Sequence, residues 1–176
     1  MTIRLRPLLG LIVAGASLCG WAQTRAPRAL ESREGPTAAR YIFAGTVIGI
    51  ERVEATKPGQ VATVRVSFRV DDAVRGVRQG QTLSVREWAG LWESGGSYRM
   101  GERVFLFLYA PSRVGLTSPV GGWAGRYAIN SAGQIRVNGG GVADAKSDPA
   151  LPQELRGRKT IGSRDLARAL RRSESE

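Results

Sequence analysis

The segment Arg103-Val104-Phe105-Leu106-Phe107-Leu108-Tyr109 constrains the fold more than any other. Read with the two-residue period of a strand, it puts Val104, Leu106 and Leu108 on one face and Phe105, Phe107 and Tyr109 on the other. A strand apolar on both faces must be central in its sheet and covered on both sides. Around it the sequence supplies less buried partners. Ala62, Val64, Val66, Phe68 and Val70 alternate with mostly polar residues, which predicts a half-buried strand over 61–70. Further strands are expected over 41–50 and 82–88, and two short ones over 125–129 and 134–137 flank the hairpin turn Asn130-Ser131-Ala132-Gly133. Turn signals separate the strands at Thr56-Lys57-Pro58-Gly59, Arg75-Gly76, Gln79-Gly80 and Ser94-Gly95-Gly96. A sandwich would want about seven strands, so five to six strands with one irregular connection over 89–100 favour an all-β fold, a small antiparallel OB-like β-barrel.

The aromatic residues bound the core. Apart from Trp21, every Phe, Trp and Tyr lies between Tyr41 and Tyr127, and large rings dominate core burial. The barrel domain is therefore placed at 41–137. Residues 23–40, with Pro27, Pro36 and mixed charge, read as a flexible leader, and Asn138-Gly139-Gly140-Gly141 opens a linker and tail over 138–176. In that tail Ser163 can cap a short helix to about residue 172, with Asp165 in its first turn, Arg171 and Arg172 in its last, and Leu166 and Leu170 on one face. So short a helix is marginal alone, so it must dock, fray or serve a partner.

Residues 1–22 have the three parts of an export signal. Arg4 and Arg6 form a positive n-region, residues 8–14 an apolar stretch, and Gly20-Trp21-Ala22 a small-x-small cleavage site. The apolar run to Ala22 falls short of the roughly 20 residues of a spanning helix, so no transmembrane segment is expected after cleavage. Lipidation at Cys19 is disfavoured by the bulky Leu18 before it. A periplasmic or secreted protein beginning near Gln23 follows.

That processing would remove the only cysteine, and the chain has no histidine. Ser-His-Asp and Cys-His nucleophiles, imidazole or thiolate metal sites and disulfides each lose an obligatory member. The formal net charge is +11, and residues 41–137 hold twelve basic residues against seven acidic ones, while no segment is a concentrated basic tail. Such a field brings weak, salt-sensitive binding to lipid headgroups or anionic envelope polymers.

Phe43-Ala44-Gly45-Thr46-Val47, residues 64–76 from Val64-Arg65-Val66 to Val74-Arg75-Gly76, and Met100-Gly101-Glu102-Arg103-Val104-Phe105-Leu106-Phe107-Leu108 together resemble the strand pattern of bacterial secreted domains similar to tissue inhibitors of metalloproteinases and netrin modules. The resemblance implies an OB barrel that acts by binding proteins. In the inhibitors of that family an N-terminal cysteine chelates the protease zinc and disulfides hold the edge loops. Here the mature chain would begin at Gln23 and keep no cysteine, so that inhibitory chemistry carries over to no residue.

The remaining candidates are aromatic and acidic. Trp88, Trp92, Tyr98 and Trp123 sit at or beyond strand ends, near Arg86, Arg99 and Arg126, which is the composition of a recognition surface. The same rings could instead plug the barrel ends. The same residues could stack on nucleic acid, but export argues against that ligand. Asp71-Asp72 is read as turn structure, with Asp72 capping residues 73–75. Gly157-Arg158-Lys159-Thr160 lacks the upstream glycine of a phosphate-binding loop and reads as tail. No residue is assigned a catalytic, cofactor-binding or metal-binding role. The expectation is an exported, non-enzymatic binding module for an extracytoplasmic protein. The alternative is a carboxylate-only hydrolase of envelope glycans, which needs two of Glu87, Glu93, Glu102, Asp71 and Asp72 across a cleft.

Overall fold

The computed structural model describes residues 36–93, 96–137, 152, 155 and 158–175. The export signal, most of the leader and most of the linker lie outside the described residues. Five strands form one antiparallel sheet: β1 (Tyr41–Val53), β2 (Thr63–Arg75), β3 (Thr82–Trp88), β4 (Arg103–Leu108) and β5 (Arg126–Ala128), in the order β3-β2-β1-β4-β5. A second sheet pairs β6 (Gln134–Arg136) with β7 (Thr160–Gly162), and the helices are α1 (Ala89–Glu93) and α2 (Ser163–Ser175). The molecule is thus all-β and OB-like in class, with seven strands in two sheets rather than five or six in one barrel.

The doubly apolar strand does divide two cores. Phe105 and Phe107 of β4 join Ile42, Ala44, Tyr127 and Ile135 on one side, while Val104, Leu106 and Leu108 join Phe43, Val66, Phe68 and Val85 on the other. All eight of these neighbours of β4 have little or no exposed surface. β1 supplies both layers through its two-residue alternation, Ile42 and Ala44 to one and Phe43 and Val47 to the other, and its register against β2 shifts between Ile42 and Phe43, between Ala44 and Gly45, and again between Val47 and Gly49. Such bulges bend a strand and increase its twist, which lets 13-residue strands curl around a small core.

The sheet does not close by strand pairing, so it is not a closed barrel. Residues 109–121 carry Pro111, Pro119, Gly115 and Gly121 and cannot run as a regular ladder. They seal the gap as a loop. Pro119 bridges to Leu108, and the Thr117 N–H donates to the Arg86 carbonyl of the edge strand β3 at 2.8 Å.

β2 continues five residues beyond the expected end at Val70, so Asp72 does not cap a turn. Asp72 lies opposite Ala44 within the ladder and accepts from Arg171 of α2 at 2.8 Å. The helix expected over 163–172 extends to Ser175 and is docked: Leu166, Ala167, Ala169 and Leu170 are buried in the core that holds Phe105 and Phe107. Together with Ile161 of β7 they supply the layer that the outer face of β4 needs, so the packed core extends past Val137. The connection over 89–100, expected as irregular, begins with α1. Among the described residues no helix is long and apolar enough to cross a membrane.

Candidate functional site

On β3 the inward positions are Val85 and Glu87, followed by the buried Ala89 at the start of α1, so the two-residue period drives a carboxylate into the core. Glu87 has no exposed surface. A buried charge is tolerated only when its oxygens are hydrogen-bonded, and both are. α1 turns the chain back so that Trp92 Nε1 donates to one oxygen at 2.8 Å, and Tyr98 Oη donates to the other at 3.2 Å. An ion pair from Arg52 of β1 to Glu93 at 3.3 Å ties α1 across this end of the sheet.

Rings pack outward from that centre. Tyr98 makes edge contacts with Phe68 at 5.3 Å, Trp92 at 5.6 Å and Trp123 at 5.9 Å between centroids. The Arg126 guanidinium lies 4.7 Å from the Tyr98 ring centre and 5.4 Å from that of Trp123, and it pairs with Glu102 at 2.6 Å. Gly96 is required by this packing, because a Cβ there would lie 1.8 Å from the Trp123 ring. Trp123 Nε1 and Arg126 Nε are buried without a hydrogen-bond partner among the described residues.

Burial pushes the Glu87 carboxyl above the ordinary glutamate range, while the Trp92 and Tyr98 hydrogen bonds and the Arg126 charge pull it back. Burial, then the neighbouring Glu87 charge, pushes the Tyr98 hydroxyl well above its usual value, so Tyr98 remains a donor. This arrangement holds a charge in place. It offers neither a free carboxylate oxygen nor a second acid facing it on the same substrate.

The seven residues expected to form a recognition surface therefore divide. Trp92, Tyr98, Trp123 and Arg126 converge on Glu87 and pack the end of the sheet; Tyr98 is only 3% exposed. Arg86 points outward but donates to the Val114 carbonyl at 2.7 Å, bracing the 109–121 loop. Arg99 is exposed at the turn before β4, where its N–H donates to Glu102 at 3.0 Å. Trp88 is 54% exposed.

The other candidate acids are also engaged. Asp71 accepts from Thr46 at 2.6 Å and pairs with Arg69 at 3.3 Å, Asp72 pairs with Arg171 at 2.8 Å, and Glu93 with Arg52 at 3.3 Å. Among the described residues no group of three or more acids, histidines or cysteines could hold a metal ion. The sequence reading missed Glu87 as the centre of the aromatic cluster. Its signal was an acid at an inward position between Val85 and Ala89, whereas nothing in the sequence joined Arg126 to Glu102. Comparison of the chain with protein families, curated proteins and solved structures yields no match.

Proposed function

We propose that the protein is an exported, non-enzymatic binding module that docks a protein partner on the outer face of β1, β2 and β3, with Trp88 as its anchor. The observation that carries this reading is the row formed by the exposed Val53 and Trp88 with the half-buried Thr63 between them, which lie directly opposite one another across the three strands. Val53 and Trp88 are 39% and 54% exposed, and Val61 nearby in sequence is 52% exposed. The Trp88 ring is set against Gly90, where a Cβ would come within 2.3 Å of it, so the indole is held rather than free. A pre-positioned, half-exposed tryptophan beside arginines is the composition of an interface hot spot.

The burial of Glu87 and the arginine partners of Asp71, Asp72, Glu93 and Glu102 weigh against an acid-pair hydrolase. The resemblance to inhibitor and netrin-like modules points to protein binding as well. The test is capture from an envelope fraction on immobilised protein, followed by a saturation curve with the captured partner. Trp88→Ala should weaken that binding by at least about thirtyfold, the equivalent of a 2 kcal/mol hot spot, and leave the melting temperature unchanged. Equal binding by wild type and variant would remove Trp88 from the interface and this reading with it.

A further inference from the structure

Given the Trp88 face as the docking surface, a reading on which this step rests, we propose that its partner is a second copy of this chain. The two copies form a two-fold dimer in which Trp88 of each covers Val53 of the other and Arg86 of each meets Glu51 of the other. The order of side chains across the sheet supports this. Register puts Val53, Thr63 and Trp88 in one row, and Glu51, Arg65 and Arg86 in the next, two residues away along each strand. Both rows lie on the face opposite the buried Val64 and Glu87.

Both rows are uneven from β1 to β3. The first carries a small valine on β1 and an indole on β3. The second carries a carboxylate on β1 and a guanidinium on β3, with Arg65 between them. Like charges directly opposite one another are unfavourable, and Arg65 and Arg86 are drawn apart: Arg65 donates to Glu51 at 2.9 Å, and Arg86 donates outward to the Val114 carbonyl at 2.7 Å. Glu51 and Arg86 therefore stand at opposite ends of the row, and both are exposed. A two-fold axis running along the strands between two such faces exchanges the ends of each row and keeps the rows in step. The β1 end of one copy then faces the β3 end of the other, so the indole meets the valine twice and the guanidinium meets the carboxylate twice, as a self-complementary two-fold interface requires. This is aligned packing of one sheet on another, with the faces about 10 Å apart. The two Arg65 side chains approach the axis, and their bonds to Glu51 draw them away from each other. Two rows across three strands make a small patch beside the roughly 800 Å² per partner of a standard interface, so the dimer is weak, reversible and favoured by concentration.

Sedimentation velocity of the purified protein over a rising concentration series tests this. Wild type should pass reversibly from monomer to dimer. Trp88→Ala should weaken the association at least about tenfold. Glu51→Arg and Arg86→Glu should each do the same, because either change sets like charges against each other in both symmetric contacts. The Glu51 pair with Arg65 is exposed and contributes little to stability, so the Glu51→Arg chain should melt as wild type does. Mixing the two charge variants should recover the dimer that each has lost, because both contacts between positions 51 and 86 then join opposite charges. A dimer that forms equally in all three variants lies on another face, and a mixture that stays monomeric shows that the two positions do not meet; either result overturns the second copy as partner. A wild-type chain that stays monomeric yet binds another captured protein through Trp88 also overturns it, and leaves the Trp88 face standing. A chain that neither associates nor captures through Trp88 removes both.

Discussion

A carboxylate without exposed surface, such as Glu87, makes folding depend on pH in a definite direction. Its folded-state affinity for a proton is raised by burial, so the folded chain binds that proton more tightly than the unfolded chain, where glutamate titrates near 4.3. Below that value the group is protonated in both states and opposes nothing. As pH rises through it toward the higher folded value, ionisation penalises only the folded state, and stability is lost. Glu87→Gln removes this penalty while keeping an acceptor for Trp92 or Tyr98. Urea unfolding of both proteins should show the variant gaining on wild type as pH rises above the ordinary glutamate value of about 4.3. A constant difference across that range would mean that Glu87 titrates as if exposed. Trp92→Phe, which keeps the ring but removes the donor, should cost about 1–3 kcal/mol at pH 7, and less in the Glu87→Gln background, because the lost partner is then a neutral group.

At the scale of elements, β4 was the most legible because its information is local: six consecutive apolar residues cannot be satisfied by one covered face. The layer that covers it was not legible. β7 and α2 lack aromatics, and the sequence around them reads as tail because Leu166 and Leu170 say that one helix face is apolar without saying against what. Likewise β2 extends past Val70 because it stays paired with β1 as far as Ile42 and Arg75, and Asp72 there meets Arg171, a partner 99 residues away in the chain. Apolar burial, rather than that ion pair, should hold α2 in place. Leu166 is fully buried, whereas the Arg171 side chain is 44% exposed. Leu166→Ala should therefore cost about 2–5 kcal/mol, and Arg171→Ala less than about 1 kcal/mol. Chemical denaturation measures both, and an inverted ranking would mean that the helix is held electrostatically.

For the whole molecule, the sequence conveys the all-β class better than closure, since closure depends on whether two distant edges find each other. β3 and β5 do not pair, and the loop before β5 reaches β3 instead through Thr117 and the Arg86 carbonyl. The candidate site shows the same division. Aromatics and arginines near strand ends were recognisable from composition, but only the fold separates those gathered round Glu87 from Trp88, which stays exposed. The loop seal makes a prediction that a simple open sheet does not. In an open sheet Thr117 would belong to a surface loop, and its amide would exchange freely. Sealed to β3, and with its hydroxyl donating to the Tyr109 carbonyl at 2.7 Å, Thr117 should exchange as slowly as ladder amides of β4. Arg86→Ala removes the side-chain bond to Val114 that braces this loop, and should speed Thr117 exchange while leaving the amides of β1 unchanged. Hydrogen exchange followed by NMR reads both effects, and a Thr117 amide exchanging at its intrinsic rate in the wild type would show that the sheet is open along this edge.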